Sequence, residues 1–277
     1  PFGDDADDAL AVIIGHEIGH ALKKEYNKQF GWWGAEKTAE LQADEFGLMA
    51  AWFAGYTNAL EVFDQIFAMP AITSNPAYPP PHERKWVDDQ LLKSSRKRVR
   101  LFHTANCLAL TGDINALDAA IACYREAGAR LVPLKEVEYN LGLAFFLKAL
   151  ARGNGQRFIF PLELSDPEAL SIRRGDGKKF STEPALLDSA RAHFNAALRI
   201  DKNYFDAWLG NHCSAVLTGG MASDTVIDRL KRHEVKTLFP EQLWKAKLVR
   251  ALALLAKNDR AAGESLLQEV QQKASPT

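Results

Sequence analysis

The sequence predicts a mainly all-α fold in two parts, residues 1–90 and residues 91–277. Long stretches carry apolar residues at helical spacing, and most of those in the second part pair across short breaks. Five of the chain's 12 prolines fall in one segment, "PAITSNPAYPPPHER". Because proline interrupts helices, this segment is the natural boundary between the two parts.

Composition bounds the kinds of partner the chain can have. An apolar content of 47% over 277 residues is ample for a packed core. The net charge of −1 gives no global attraction to nucleic acid or to an anionic membrane. The longest nearly apolar run, "FGLMAAWFAGY", is too short to cross a bilayer. We therefore expect no transmembrane segment, no nucleic-acid partner, and local recognition of any protein or peptide.

Three helices are predicted in the first part. The first runs from Asp7 to Asn27, follows an acidic cluster that suits a helix N-terminus, and is expected to be mostly buried. The second runs from Ala35 to Ala54, with Gly55 as its C-cap. The third, "NALEVFDQIFAM", stops at Pro70. The apolar positions of the first helix are Leu10, Val12, Ile13, Ile14, Ile18 and Leu22.

The second part reads as successive helix pairs. One segment, "ARAHFNAALRIDKNYFDAW", resembles the end of one tetratricopeptide repeat running into the next, through Ala190, Phe194, Ala197 and Trp208. An insertion at residues 152–184, rich in Gly, charge and Pro, interrupts the pattern. The expected architecture is a tetratricopeptide-like helical-repeat array, with an irregular helical bundle as the alternative.

A candidate metal motif lies in the first helix, in the string "GHEIGH". His16 and His20 are four residues apart, so on a helix both imidazoles face one side and can bind one metal ion. Glu17 projects close enough to reach a water at that metal. A catalytic zinc site needs a third protein ligand and an open position.

The second predicted helix offers that third ligand. Glu40 and Asp44 in "AELQADEFG" are again four residues apart. If this helix packs antiparallel to the first, Glu40 completes a His, His, Glu set, and Asp44 can hold a ligand histidine through its other ring nitrogen. A pair of acidic residues alone would more often be a solvated helix face, but its conjunction with the histidine motif favours a zinc site.

Three separated motifs resemble one family. "DDALAVIIGHEIGHAL", "ELQADEFGLMAAWFAGY" and "YPPPHER" follow the order and style of the gluzincin metallopeptidases that include the HtpX, Ste-type and BepA-like enzymes. The resemblance covers about residues 5 to 90. It departs from that family in the short interval of 19 residues between His20 and Glu40, and in the proline segment, where Tyr78 occupies the usual histidine position and His82 lies nearby.

The resemblance implies roles for individual residues. His16, His20 and Glu40 would bind Zn²⁺, Glu17 would be the general base, Asp44 the supporting carboxylate, and Arg84 the family's loop arginine. Tyr78 and His82 are the side chains available from the proline segment to stabilise an oxyanion. Only five residues precede the first helix region, and they cannot supply the family's sheet. The peptidase domain is therefore expected to be incomplete at its N-terminus, or to receive that part from another chain.

The resulting hypothesis is a zinc-dependent endopeptidase that hydrolyses protein substrates with a metal-activated water, with helical repeats that recruit substrate or a partner. Such an enzyme fits protein quality control. The main alternative is a latent or non-catalytic zinc-containing scaffold or chaperone, in which the proline-rich loop plugs the site. Two further alternatives are a regulatory HExxH protein that cleaves a repressor, and a metal-free helical protein.

Cysteine usage and compartment are less constrained. Cys107, Cys123 and Cys213 are expected to be buried free thiols, with a bridge between Cys107 and Cys123 as the alternative. Family analogy indicates the periplasm, whereas free thiols would also suit a reducing cytoplasm.

Overall fold

The computed structural model describes residues 2–30, 36–67, 69, 81–129, 134–152, 162, 183–218, 227–228, 230–232 and 240–274. For residues 23–30, 36–39, 67, 81–88 and 273–274 it describes the backbone alone. These described parts are predominantly helical and contain no β-strand, so the all-α prediction is confirmed for them. The finer predictions, a gluzincin core and tetratricopeptide-like repeats, stay predictions.

The first helices follow a short 3-10 turn at Gly3–Asp5. They are α1 (Ala6–Phe30), α2 (Glu36–Phe53), α3 (Ala59–Phe67), α4 (Pro81–Thr111) and α5 (Ile114–Gly128). Five more follow along the chain: α6 (Lys135–Arg152), α7 (Pro184–Ile200), α8 (Phe205–Leu217), α9 (Pro240–Ala256) and α10 (Arg260–Ala274). No described helix is both long enough and apolar enough to cross a bilayer.

Two compact units are formed by the described residues. The first contains those up to Thr104 and residues 125–129 and 134, and the second contains those from 105 to 124 and from Lys135 onward. Helix α4 continues through residue 90, where the sequence predicts a domain boundary. The division at that residue stays a prediction.

The close pairing of α1 and α2 depends on two glycines in the first unit. A Cβ atom added to Gly47 would lie 2.6 Å from the backbone nitrogen of His16 and 2.7 Å from the carbonyl oxygen of Val12. A Cβ added to Gly15 would lie 2.8 Å from the Cα of Gly47. Backbone meets backbone at this crossing, so no larger side chain fits.

Helix α2 ends as its sequence predicts. Gly55 has φ of +98°, its backbone N–H donates to the carbonyl of Trp52, and the N–H of Tyr56 donates to the carbonyl of Ala51. This pair of bonds is the Schellman arrangement, which satisfies two carbonyls left unpaired at a helix end. The prediction of Gly55 as the C-cap is confirmed, and the turn leads directly into α3.

The N-terminal end of α1 is attached to the start of α3. Asp8 accepts a hydrogen bond of 2.9 Å from the backbone N–H of Asn58, and Asp5 accepts one of the same length from the Asn58 side chain. The acidic N-terminus predicted for the first helix therefore serves two purposes, since it also suits the positive end of the helix dipole.

The sequence predicts that α1 is mostly buried, and this prediction is wrong for most of its apolar positions. Val12 is buried and Leu22 is partly buried, as expected, but the other apolar positions are exposed to solvent. Apolar residues occupy nearly the whole circumference of this helix, and only the side with the glycines packs on α2. The exposed apolar positions are Leu10, Ile13, Ile14 and Ile18.

In the second unit, the ring of Phe194 on α7 is buried among neighbouring helices. A Cβ added to Gly142 on α6 or to Gly210 on α8 would lie within 3 Å of that ring. Ala190 and Ala197 are buried on the same face of α7. Small residues therefore allow three successive helices to approach one aromatic side chain, which is the kind of contact that stacked helix pairs require.

A polar cluster lies inside this unit as well. The side-chain oxygen of Asn106 accepts hydrogen bonds from the hydroxyl of Tyr124 and from the amide of Asn140, and all three side chains are buried. Because buried polar atoms are costly unless they are paired, these bonds fix how α5 and α6 pack beside the end of α4.

The cysteines differ from expectation. All three are free, so the bridge between Cys107 and Cys123 is not formed. Cys213 is buried as expected, and burial raises the pKa of its thiol. Cys107 is exposed on α4, so the prediction of burial is wrong there, and Cys123 on α5 is only half-buried.

The glycine crossing can be tested by replacing Gly47 with alanine. Gly→Ala inside a helix ordinarily increases stability, but here the added Cβ meets backbone atoms that cannot move independently. We expect Gly47→Ala to lower the free energy of unfolding by about 1–3 kcal/mol, the usual cost of overpacking. Urea denaturation followed by circular dichroism measures this.

The matched control is Gly263→Ala on α10. A Cβ added there would lie 2.7 Å from Cγ of Leu255 and 3.2 Å from the backbone oxygen of Ala251, so a shift of one side chain relieves most of the crowding and we expect a smaller effect. Equal or greater stability of Gly47→Ala relative to the unmodified chain would show that the crossing tolerates a methyl group.

Candidate metal centre

His16 and His20 project from the same side of α1, one turn apart. Their rings meet nearly at right angles, with centroids 4.5 Å apart. The Nε2 atoms of the two rings are separated by 2.9 Å. The helical spacing alone dictates that they are neighbours, because residues i and i+4 lie above one another on a helix.

Glu40 on α2 brings a carboxylate to the same point. Its Oε2 atom lies 3.2 Å from Nε2 of His20 and 3.5 Å from Nε2 of His16. Two donors held tetrahedrally by Zn²⁺ at its usual bond lengths are roughly 3.4 Å apart. The three separations observed here are close to that value, so the side chains have nearly the spacing that a zinc ion requires.

Asp44 orients the first histidine. Its Oδ1 atom lies 2.7 Å from Nδ1 of His16, and its side chain is almost fully buried. An ionised carboxylate can only accept hydrogen bonds, so Nδ1 of His16 carries the proton that is shared with Asp44. In the neutral ring this leaves the lone pair on Nε2, the atom that faces His20 and Glu40, which is the tautomer that binds metal.

The electrostatic environment of His16 favours a positive charge. Burial alone would lower the pKa of His16, but the hydrogen bond that His16 donates to Asp44 and the charges of Asp44, Glu40 and Glu17 outweigh this effect, so the pKa is raised. The same carboxylates would stabilise a bound cation. Zn²⁺ therefore fits this donor set in chemistry, in spacing and in charge.

Glu17 lies beside the triad but is not part of it. Its side chain is exposed, and its carboxylate is close enough to His16 to help raise the pKa of that ring. This position leaves the carboxylate free to contact a molecule that approaches the histidines from solvent. Among the described residues, His16, His20 and Glu40 form the one group whose ligand atoms converge in this way, within 4.8 Å of one another.

A half-buried ion pair connects α2 to α4 next to Asp44. Glu45, the residue after Asp44, forms an ion pair with Arg98 of α4. The distance from Oε1 of Glu45 to Nε of Arg98 is 3.1 Å. Burial raises the pKa of Glu45, and the charge of Arg98 opposes that rise only in part. Arg98 also donates to the carbonyl oxygens of Ala127 and Ala129. These bonds restrain α2 where it carries Asp44.

The residues predicted from the proline segment are placed only in part. Tyr78 lies outside the described residues. His82 and Arg84 lie in the first turn of α4, which begins at Pro81, so the backbone at these two positions is helical and not the loop that the sequence suggests. Proline suits the first turn of a helix, where its missing N–H has no partner to lose. Their side chains lie outside the described part of the structure, and their catalytic roles stay predictions.

Small residues that make the helix pair possible were not among the residues predicted from the sequence. Gly15 and Gly19 are four residues apart, and each directly precedes a histidine. Ala43 and Gly47 on the next helix, after Glu40, are also four residues apart. Four small residues at matching intervals on two consecutive helices were a visible signal of close backbone approach. The link between Glu45 and Arg98 has no such local signal, because the two residues are far apart in sequence.

Comparisons with known proteins identify no relative of this chain. No protein-family model, no curated protein and no solved structure matches the chain.

The role of Asp44 can be tested through metal affinity. Asp44→Asn keeps the shape of the side chain but removes the carboxylate that orients His16. We expect its Zn²⁺ dissociation constant to rise by about 10–100-fold, as for other partners of ligand histidines. Competition with a chromophoric chelator measures the constant, and His20→Ala should abolish binding altogether.

The control is Asp64→Asn, which makes the same chemical change on the exposed face of α3. Its Zn²⁺ affinity should equal that of the unmodified chain. If Asp44→Asn bound Zn²⁺ as tightly as this control, the proposed orienting role of Asp44 would be wrong.

Proposed function

We propose that this chain is a zinc-dependent endopeptidase of the gluzincin type, resembling the HtpX, Ste-type and BepA-like enzymes. The observation that carries the proposal is that the ligand atoms of His16, His20 and Glu40 converge on one point. Asp44 accepts a hydrogen bond from the ring of His16 beside them. The same residues match the family's motifs in the same order along the chain.

Exposure of the triad supports a catalytic site over a structural one. Structural zinc sites are closed by four protein ligands, whereas catalytic sites use three and leave a position open. The described part of the chain offers three, and their side chains retain 12%, 28% and 20% of their exposure for His16, His20 and Glu40. The side chains of the triad therefore keep contact with solvent, as a catalytic site requires.

When bound, Zn²⁺ would supply Lewis acidity for amide hydrolysis. The chain's own contribution begins with Glu17, whose exposed carboxylate accepts a proton from the attacking water and later donates it to the leaving amine. Asp44 keeps His16 in the ligating tautomer during these steps, because its carboxylate retains the Nδ1 proton. Glu40 would hold the ion with His16 and His20, and its negative charge would offset part of the charge of Zn²⁺.

The remaining parts of the proposal concern substrate supply. The helices of the second unit would recruit a protein substrate or partner, as stacked helix pairs commonly do. Tyr78 or His82 would stabilise the oxyanion. The periplasm is the compartment that the family analogy favours.

Glu17→Gln tests the mechanism directly. The amide has nearly the shape of the carboxylate but cannot accept the proton, so we expect cleavage of an unfolded protein such as casein to fall by about 10²–10⁴-fold. Zn²⁺ content by elemental analysis should stay at that of the unmodified chain, since Glu17 is outside the triad.

Glu61→Gln, on the exposed surface of α3, is the matched control and should cleave normally. Undiminished cleavage by Glu17→Gln would reject Glu17 as the base. If the unmodified zinc-loaded chain cleaves nothing, the scaffold or chaperone hypothesis replaces the peptidase.

A further inference from the structure

An apolar stripe of α1 lies open to solvent beside the metal triad. Leu10, Ile14 and Ile18 keep 54%, 49% and 46% of their full exposure, and Ile13 keeps 38%. Among the described side chains, Tyr56 is the other large apolar residue with comparable exposure. Exposed apolar residues are thus concentrated within about two turns of one helix, and such concentrations indicate interaction sites.

Helical geometry places this stripe around Glu17. Leu10, Ile14 and Ile18 form one row at four-residue spacing, and Ile13 lies one turn before Glu17 in the adjacent row. His16 and His20 border the second row on its other side. A molecule that lies over Glu17 and extends toward the N-terminus of α1 therefore contacts Ile13 and Ile14.

The N-terminal end of the stripe is acidic. Asp5 and Asp8 are engaged by Asn58, whereas Asp4 and Asp7 are exposed to solvent. Negative charge here opposes contact with an anionic bilayer and favours a basic group on the occupant. The rise of α1 puts Asp7 about 15 Å from Glu17, which an extended peptide spans in about four or five residues.

A second copy of the chain fits this face less well than a peptide. Pairing two stripes would bury the Glu17 carboxylate of each copy among isoleucines without a partner, and burying an unpaired charge is costly. An extended peptide can cover the isoleucines with its side chains and still leave backbone groups or water at Glu17.

We propose that the stripe formed by Leu10, Ile13, Ile14 and Ile18 is the docking surface for an extended, apolar segment of the substrate polypeptide. The segment carries a basic residue about four or five positions from the bond placed over Glu17. This inference rests on the proposed peptidase function, because that function makes a polypeptide the molecule that lies over the triad.

Binding can be measured without cleavage. The protein is the full chain carrying Glu17→Gln, both with Zn²⁺ and without it. The probe is a fluorescein-labelled peptide of leucine and alanine residues with one arginine, compared with the same peptide in which serine replaces leucine. Fluorescence anisotropy gives the dissociation constant of each peptide.

Ile14→Asn and Ile18→Asn, each added to Glu17→Gln, should weaken binding of the leucine peptide by at least about tenfold, since apolar contact is lost on both partners. Asn replaces exposed side chains here, so the fold should survive, and unchanged Zn²⁺ affinity with an unchanged circular dichroism spectrum checks it. Tyr56→Asn is the matched control and should bind normally. A version of the leucine peptide with glutamate in place of arginine should bind more weakly to the parent protein. The double substitution Asp4→Asn and Asp7→Asn should remove this difference between the two peptides.

Equal binding of the leucine and serine peptides, or equal binding by Ile14→Asn, would overturn the inference. The inference would also be overturned if the chain dimerised through the stripe. In that case Ile14→Asn would abolish the dimer, and added peptide would not compete with dimerisation. Binding to vesicles of phosphatidylcholine and phosphatidylglycerol that depended on Ile14 and Ile18 would likewise reject a peptide. Stripe-dependent peptide binding by a chain that cleaves nothing would reject the peptidase function and leave the docking surface standing.

Discussion

Direct contact between the backbones of Gly15 and Gly47 sets the distance between α1 and α2, and the candidate site depends on that distance. At this crossing a single Cβ on either residue would meet backbone atoms at 2.6–2.9 Å. The histidines and the carboxylates project from the edges of the same contact. Side chains as short as Asp44 reach across the gap only because the two helix axes are so close. A wider separation would break the 2.7 Å hydrogen bond between His16 and Asp44, and losing a hydrogen bond is costly for a buried carboxylate.

Burial and polarity are therefore coupled in this unit. Asp44 tolerates near-complete burial because His16 donates to it, and His16 holds its ligating tautomer because Asp44 accepts that proton. The adjacent Glu45 is held by Arg98, so successive acidic residues of α2 are engaged on two different sides. Rotation of α2 would break both interactions together. The position of Glu40, one turn before Asp44, is thus determined by contacts that Glu40 itself does not make.

Local spacing accounts for what the sequence could predict, and tertiary packing accounts for what it could not. The i, i+4 relation of His16 and His20, and that of Glu40 and Asp44, follows from helix geometry alone, and the capping role of Gly55 follows from its freedom at positive φ. Periodicity could not show which side of α1 would be covered, because apolar residues surround that helix. The start of α4 within the proline run was also missed, since proline both ends helices and begins them.

Helix α1 divides into three strips with different physical requirements. Glycines form the strip against α2, where only the absence of a side chain allows contact, and large apolar residues form the strip toward solvent. The histidines lie on the border between them, half buried on the side of Asp44 and open on the side of Glu17. A ligand donor needs both conditions: rigidity from buried partners, and access for a molecule arriving from outside. An apolar strip on the open side serves the second condition, because it can bind a polypeptide through its side chains while the polar groups of its backbone remain available to the triad and to Glu17.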